Sequence, residues 1–63
     1  MQENTEWLTA LELSAHLRVA VGTVRLWART GRIPAARVGH NMWRYDLAAV
    51  RAALIAEGAR HAK

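Results

Sequence analysis

Two arginines in the middle of the chain have the type and spacing to bind an anion. Arg25 and Arg29 lie in the stretch VAVGTVRLWARTGRIP, and a helix there would place both guanidinium groups on one face. A guanidinium group can form paired hydrogen bonds with phosphate oxygens or with the base edge of guanine. Such a face suits contact with a DNA duplex, and a solvated arginine face on an ordinary helix is an equally simple interpretation.

The distribution of charge also indicates a polyanionic partner. The sequence has 63 residues and a formal charge of +4, and seven arginines but only one acid, Asp46, lie between residues 18 and 51. Glu3, Glu6 and Glu12 precede this stretch. A basic surface formed by the middle of the chain is typical of nucleic-acid binding.

The remaining chemistry is sparse. His16, His40 and His61 lack metal-ligand spacing, and there is no cysteine. The sequence shows no nucleophile–base pair and no glycine-rich phosphate loop. We therefore predict no enzymatic activity, no catalytic residues, no metal and no cofactor.

Membrane and secretion signals are missing from the sequence. Its apolar runs are shorter than the roughly 20 residues of a membrane span, and the first residues are polar and acidic. The expected location is the cytoplasm. The length allows a single domain, in which the three tryptophans are expected to supply much of the core.

The arginine pair needs a helix whose other face packs against a core. Val24, Trp27 and Ala28 form that apolar stripe, and Gly31 followed by Pro34 predicts the end of the helix. Neither Ala20 nor Val21 has a side chain that can cap the helix start. Its first amides are therefore left to water or to a phosphate.

A preceding helix is predicted over Ala10 to Leu17. Thr9 and Glu12 fit a capping box, and Leu8 and Leu13 fit the accompanying hydrophobic staple. Leu11 does not lie on the inward stripe. The short connection through residues 18–20 then makes a helix-turn-helix.

A β-hairpin and a third helix are predicted to complete the domain. Two β-prone runs flank the turn residues 39–41, and alternation leaves Arg37 and Arg44 free to point away from the core, on the face opposite Trp43 and Tyr45. Asp46 is a suitable N-cap for a helix from Leu47 to about residue 57, ended by Gly58.

This order of elements resembles a known family. The matching pieces are Trp7-Leu8-Thr9 with Glu12, Thr23-Val24-Arg25 with Trp27, Gly31-Arg32-Ile33-Pro34, Arg37-Val38-Gly39 and Trp43-Arg44-Tyr45-Asp46-Leu47. In this order and spacing the chain resembles the small MerR-like winged helix-turn-helix domains of phage excisionases and their relatives. The fold class expected is mainly α with a small β-hairpin, the wing, over residues 7–57. Residues 1–6 are expected to be disordered, and residues 58–63 are expected to form a frayed basic tail.

The resemblance implies that the second helix enters the major groove of double-stranded DNA and that the wing contacts the duplex beside it. The predicted contacts on the helix are Gly22, Thr23, Arg25, Leu26 and Arg29. Those on the wing and its flanks are Arg37, His40, Asn41 and Arg44. Leu26 stands where relatives often carry a polar residue, which suits a thymine methyl group or a neighbouring protein, and the tip at residues 40–42 is less basic than in many relatives.

An excisionase, or recombination directionality factor, is an architectural protein. The resemblance implies that several copies bind adjacent sites, bend the DNA and bias a site-specific integrase toward excision, on DNA in a bacterial host. A small MerR-like transcriptional regulator that binds direct repeats is the alternative. The chain ends soon after the third helix, so no small-molecule effector is expected. An alternative of another class is a protein-interaction module that docks on an integrase or a toxin through Leu11, Leu26 and the third helix, without binding DNA.

Overall fold

Three helices and three short strands form the fold. The computed structural model describes the backbone of residues 6–61 and the side chains of residues 6–58. The order of elements is β1 (Trp7–Leu8), α1 (Ala10–Leu17), α2 (Val21–Arg29), β2 (Ala36–Gly39), β3 (Met42–Asp46) and α3 (Leu47–His61). The segment predicted to be disordered, residues 1–6, lies outside the described residues except for Glu6.

The first helix has the predicted bounds and the predicted cap. The Thr9 hydroxyl accepts a hydrogen bond from the Glu12 amide at 3.1 Å, and the Glu12 carboxylate accepts one from the Thr9 amide at 2.9 Å. Because each partner satisfies a backbone amide of the other, the capping box fixes where α1 begins. Arg18, with a φ of 60°, ends the helix, and its amide bonds to the carbonyl of Ser14.

The second helix follows after a short turn and begins at Val21. Its N-cap, Ala20, makes no side-chain hydrogen bond, as the sequence predicts. At the other end Gly31 adopts a φ of +82°, and the amides of Gly31 and Arg32 bond to the carbonyls of Ala28 and Trp27. This paired arrangement is a Schellman motif, which needs a left-handed residue at that position and explains the glycine.

The strands form one antiparallel sheet with β3 in the centre. The order is β1-β3-β2, in which Leu8 pairs with Tyr45 and Arg37 pairs with Trp43. The predicted hairpin is present as β2 and β3, with a two-residue turn at His40 and Asn41. The additional strand β1 has two residues and carries no alternation pattern, which is why the sequence did not predict it.

The third helix is longer than predicted. The Asp46 carboxylate caps it by accepting a hydrogen bond from the Ala48 amide at 3.2 Å. The prediction that Gly58 ends the helix is wrong, since α3 continues to His61. A glycine ends a helix when it turns left-handed, and Gly58 does not have a positive φ.

The core is aliphatic rather than built on tryptophan. Its buried apolar members are Leu8, Leu13, Val24, Ile33, Tyr45 and Val50. The expectation that three tryptophans supply much of this volume is wrong, because Trp7 and Trp43 are 50% and 47% exposed and Trp27 is only partly buried. Trp7 and Trp43 lie on the short strands β1 and β3, whose buried positions are occupied by Leu8 and Tyr45.

Candidate nucleic-acid interface

Helix α2 separates a packed face from an exposed one. Val24 is fully buried, and Trp27 and Ala28 pack against the core, as their spacing predicts. Four of the predicted contact residues are exposed on the rest of the surface of the helix: Gly22, Arg25, Leu26 and Arg29. Thr23 is half-buried. The packed stripe fixes the orientation of the helix, so its arginine face is presented in a defined direction.

The hairpin has a tight tip and two different faces. Asn41 adopts a φ of 57° in the turn, a left-handed conformation that asparagine tolerates better than most residues. Directly paired residues of antiparallel strands share a face, so the register places Arg37 with Trp43 and places Arg44 with Ala36. The prediction that both arginines share the face away from Trp43 is therefore wrong.

The reason for this difference is the irregular register of the hairpin. The pairing is interrupted between Arg37 and Gly39, where Gly39 pairs with Met42. Alternation within each strand does not specify how the two strands are aligned, and it is the alignment that assigns the faces. Arg37 nevertheless remains exposed.

An open groove lies between α2 and the hairpin. It has a volume of about 710 Å³, and the start of α1 closes one end. Arg25 and Arg29 line it from α2, and Asn41, Trp43 and Arg44 line it from the hairpin. We call this feature the helix–wing groove. It brings together four of the nine predicted contact residues; Gly22, Thr23, Leu26, Arg37 and His40 lie outside its lining.

The arginines of the groove are electrostatically unsatisfied. Within residues 6–58, neither Arg25, Arg29 nor Arg44 forms an ion pair. Arg44 is held in place by a neutral partner, because one guanidinium nitrogen donates to the carbonyl of Trp43 at 2.8 Å. Groups of like charge converging without a counterion form a favourable site for a polyanion.

Three acids of the described region have partners within the scaffold. Glu12 serves the cap of α1 and Asp46 serves the cap of α3. Glu57 accepts two hydrogen bonds from Arg32, at 2.8 and 3.2 Å. The domain thus uses these carboxylates for its scaffold, and none of the three is among the residues that line the helix–wing groove.

Two residues of functional interest were not predicted. Trp43 was assigned to the core face of the hairpin, yet it lines the groove and has the guanidinium of Arg37 over its ring at 5.9 Å. Arg32 was counted among the basic surface residues, yet it stacks over Trp27 at 5.2 Å while it pairs with Glu57. Knowledge of the cross-strand register would have predicted the contact between Arg37 and Trp43. The ion pair of Arg32 could not be predicted, because Glu57 is distant from it in sequence.

No group of three or more potential metal ligands lies together among the described residues. No helix there is long and apolar enough to cross a membrane.

The elements and the groove define a class of protein. Two helices joined by a short turn, followed by a β-hairpin beside the second helix and by a third helix, make a winged helix-turn-helix. The model of the helix-turn-helix domain family matches residues 7–57, and the chain belongs to that family. Neither the curated proteins nor the solved structures contain a significant match. Membership indicates a DNA-binding module, a class that is generally non-enzymatic.

Proposed function

We propose that this protein is a sequence-specific architectural protein of double-stranded DNA, of the excisionase kind. In this role several copies bind adjacent sites, bend the DNA and bias a site-specific integrase toward excision. The family supports the DNA-binding part of the proposal. The excisionase part is supported by the MerR-like order of motifs in the sequence.

One observation carries the proposal. Arginines from two separate elements, Arg25 and Arg29 on α2 and Arg44 on β3, converge on one groove that has no described acid to neutralise them. A duplex offers phosphates on both sides of each groove, so a helix in the major groove and a hairpin beside it would contact successive phosphates. If the arginines of α2 were only a solvated face, there would be no reason for a third arginine from the hairpin to line the same groove.

The proposed contacts divide into two groups. On α2, Arg25 and Arg29 reach guanine edges or phosphates, Leu26 meets a thymine methyl group, and Gly22 and Thr23 lie near the DNA backbone. On the wing, the contacts with the backbone or the minor groove are Arg37, His40, Asn41 and Arg44. Helix α2 has nine residues and spans roughly 13 Å, about the width of the major groove.

Cooperativity follows from the size of the module. A single small domain makes few base contacts, and its intrinsic affinity for one site is modest. Neighbouring copies that contact each other on adjacent sites multiply such affinities. Bending toward the protein would result if α2 and the wing hold phosphates on both sides of a groove.

The test is a gel-shift titration on a pool of random duplexes at two salt concentrations, with the bound DNA sequenced. We expect stepwise shifts, short directly repeated sites and a steep loss of affinity with salt, because several arginines displace counterions. A double variant, Arg25→Ala with Arg29→Ala, should lose the enrichment, whereas Arg51→Ala on the exposed side of α3 is the charge-matched control.

The outcomes separate the alternatives. Recovered sites that bend on binding, measured by the mobility of circularly permuted fragments, support the architectural role. Recovered sites without bending support the transcriptional regulator instead. A lack of any enrichment and of any salt-sensitive shift would overturn DNA binding and leave the protein-interaction module.

A further inference from the structure

Trp43 is 47% exposed on the hairpin, and it lines the same groove as Arg25 and Arg29 of α2. Leu11, at the start of α1, is the other exposed large apolar residue of that lining. Trp7 has nearly the same exposure, 50%, on β1 of the same sheet, but it does not line the groove. The two tryptophans therefore differ in their surroundings and not in how much of their surface is exposed.

Two arginine side chains, those of Arg37 and Arg44, interact with Trp43. Arg37, its cross-strand partner, lies over the ring at 5.9 Å and is not itself part of the groove lining. Arg44 donates to the backbone carbonyl of Trp43 at 2.8 Å and does line the groove. The ring is thus an apolar surface set among cations.

A DNA strand has the complementary pattern. Its backbone alternates anionic phosphates with deoxyribose rings, whose carbon edges are apolar. The arginines of the groove match the phosphates, and a flat indole among them matches a sugar. A free anion such as inorganic phosphate would satisfy the arginines but would leave the indole uncovered.

We propose that Trp43 is a DNA contact that packs against the deoxyribose of the strand held in the helix–wing groove. The inference rests on the proposed function and adds a contact to it that does not depend on charge. Arg37 is a positioning residue in this arrangement, because it supports the ring from outside the groove. A sugar is present at every nucleotide, so the contact adds affinity without adding sequence specificity.

The salt dependence of binding provides the first test. Trp43→Ala should weaken binding by about tenfold, as expected for the loss of an apolar contact of this size. The loss should be equal for the recovered site and for an unrelated duplex, and the slope of log K against log salt should not change, since no charge is removed. Trp43→Phe should bind close to wild type, and Trp7→Ala is the matched control that should not change binding.

A second measurement uses the wild-type protein and does not depend on any variant folding. Hydroxyl-radical footprinting with mass spectrometry reports the oxidation rate of each tryptophan. With a saturating 20-base-pair duplex, chosen at about two helical turns, Trp43 should become protected while Trp7 provides the internal reference. Unchanged oxidation of Trp43 would overturn the proposal.

The outcomes are distinguishable from a failure of the proposed function. Wild-type protein that does not bind any duplex overturns both. If the wild-type protein binds DNA and Trp43→Ala binds it with the same affinity, the Trp43 contact alone is overturned. The same holds if Trp43→Ala changes the slope of log K against log salt. Enhanced fluorescence of 2-aminopurine in the bound duplex would show that bases are unstacked. It would overturn the sugar contact and indicate that the indole inserts between base pairs.

Discussion

Arginine has opposite roles in two regions of this small domain. At the helix–wing groove, Arg25, Arg29 and Arg44 converge without an acidic partner among the described residues. After α2, Arg32 lies over the ring of Trp27 at 5.2 Å and pairs with Glu57 at 2.8 Å. The first group is arranged for an external anion, whereas the second joins the segment after α2 to α3.

The comparison shows that the partner of an arginine, rather than the number of arginines, indicates its role. Seven arginines lie between residues 18 and 51, and their count alone would assign Arg32 to the binding surface. Its acid and its aromatic ring identify it as part of the scaffold.

The largest effect is expected where the scaffold is broken. Trp27→Ala should lower the free energy of unfolding by about 3 kcal/mol, because it removes a large side chain that packs on the core and on whose ring Arg32 stacks. Trp43→Ala, at the groove, should change it much less. Thermal unfolding followed by circular dichroism measures both, and equal losses would contradict the division between scaffold and groove.

The next effect concerns the groove itself. Arg25→Ala should weaken binding to the recovered DNA site by roughly 1–3 kcal/mol and leave the melting temperature unchanged, since its guanidinium has no ion-pair partner among the described side chains. Arg51→Ala removes the same charge from the exposed side of α3 and should have a much smaller effect. If Arg25→Ala binds as tightly as wild type, the proposed orientation of α2 in the groove is incorrect.

A smaller effect is expected at the wing. Arg37→Ala should weaken binding to all sequences and lower the magnitude of the salt slope by about one, as for the loss of one phosphate contact. Arg37→Lys keeps the charge but loses the planar group over Trp43. If Arg37→Lys has the wild-type salt slope but a weaker affinity, the stacking of Arg37 on Trp43 contributes to binding separately from its charge. If both the slope and the affinity are those of wild type, only the charge of Arg37 matters.

The smallest effect is expected at the ion pair of the scaffold. Glu57→Gln should lower the free energy of unfolding by about 0.5 kcal/mol, because the partners are partly exposed to solvent, at 46% for Arg32 and 25% for Glu57. Unfolding at low and high salt measures it, and the difference from wild type should shrink as salt screens the pair. A loss of DNA binding in this variant, with stability preserved, would move Arg32 into the binding surface.

The sequence predicted those features that depend on local chemistry. The capping box of Thr9 and Glu12, the cap at Asp46 and the stripe of Val24, Trp27 and Ala28 are all confirmed, because each depends on residues within one turn or two of a helix. The helix-turn-helix and the hairpin followed from the order of these elements.

The features that depend on contacts across the chain were not predictable. The strand β1 exists because β3 offers it an edge, and no pattern in two residues specifies that pairing. The faces of Arg37 and Arg44 depend on the alignment of two strands. The exposure of Trp43 is a property of the tertiary packing, which alternation along one strand does not specify. Which residues meet DNA remains a prediction from the resemblance and the groove.

The sheet order has a consequence for how the domain is made. The pairs α1 with α2 and β2 with β3 are neighbours along the chain, so each needs only a short loop to close. The pairing of Leu8 with Tyr45 closes a loop that encloses both of the first two helices and most of the hairpin. During synthesis on a ribosome, the base of the wing therefore cannot be anchored until residue 46 has emerged, so the surface between helix and wing acquires its shape only after the first two helices and the hairpin have been made.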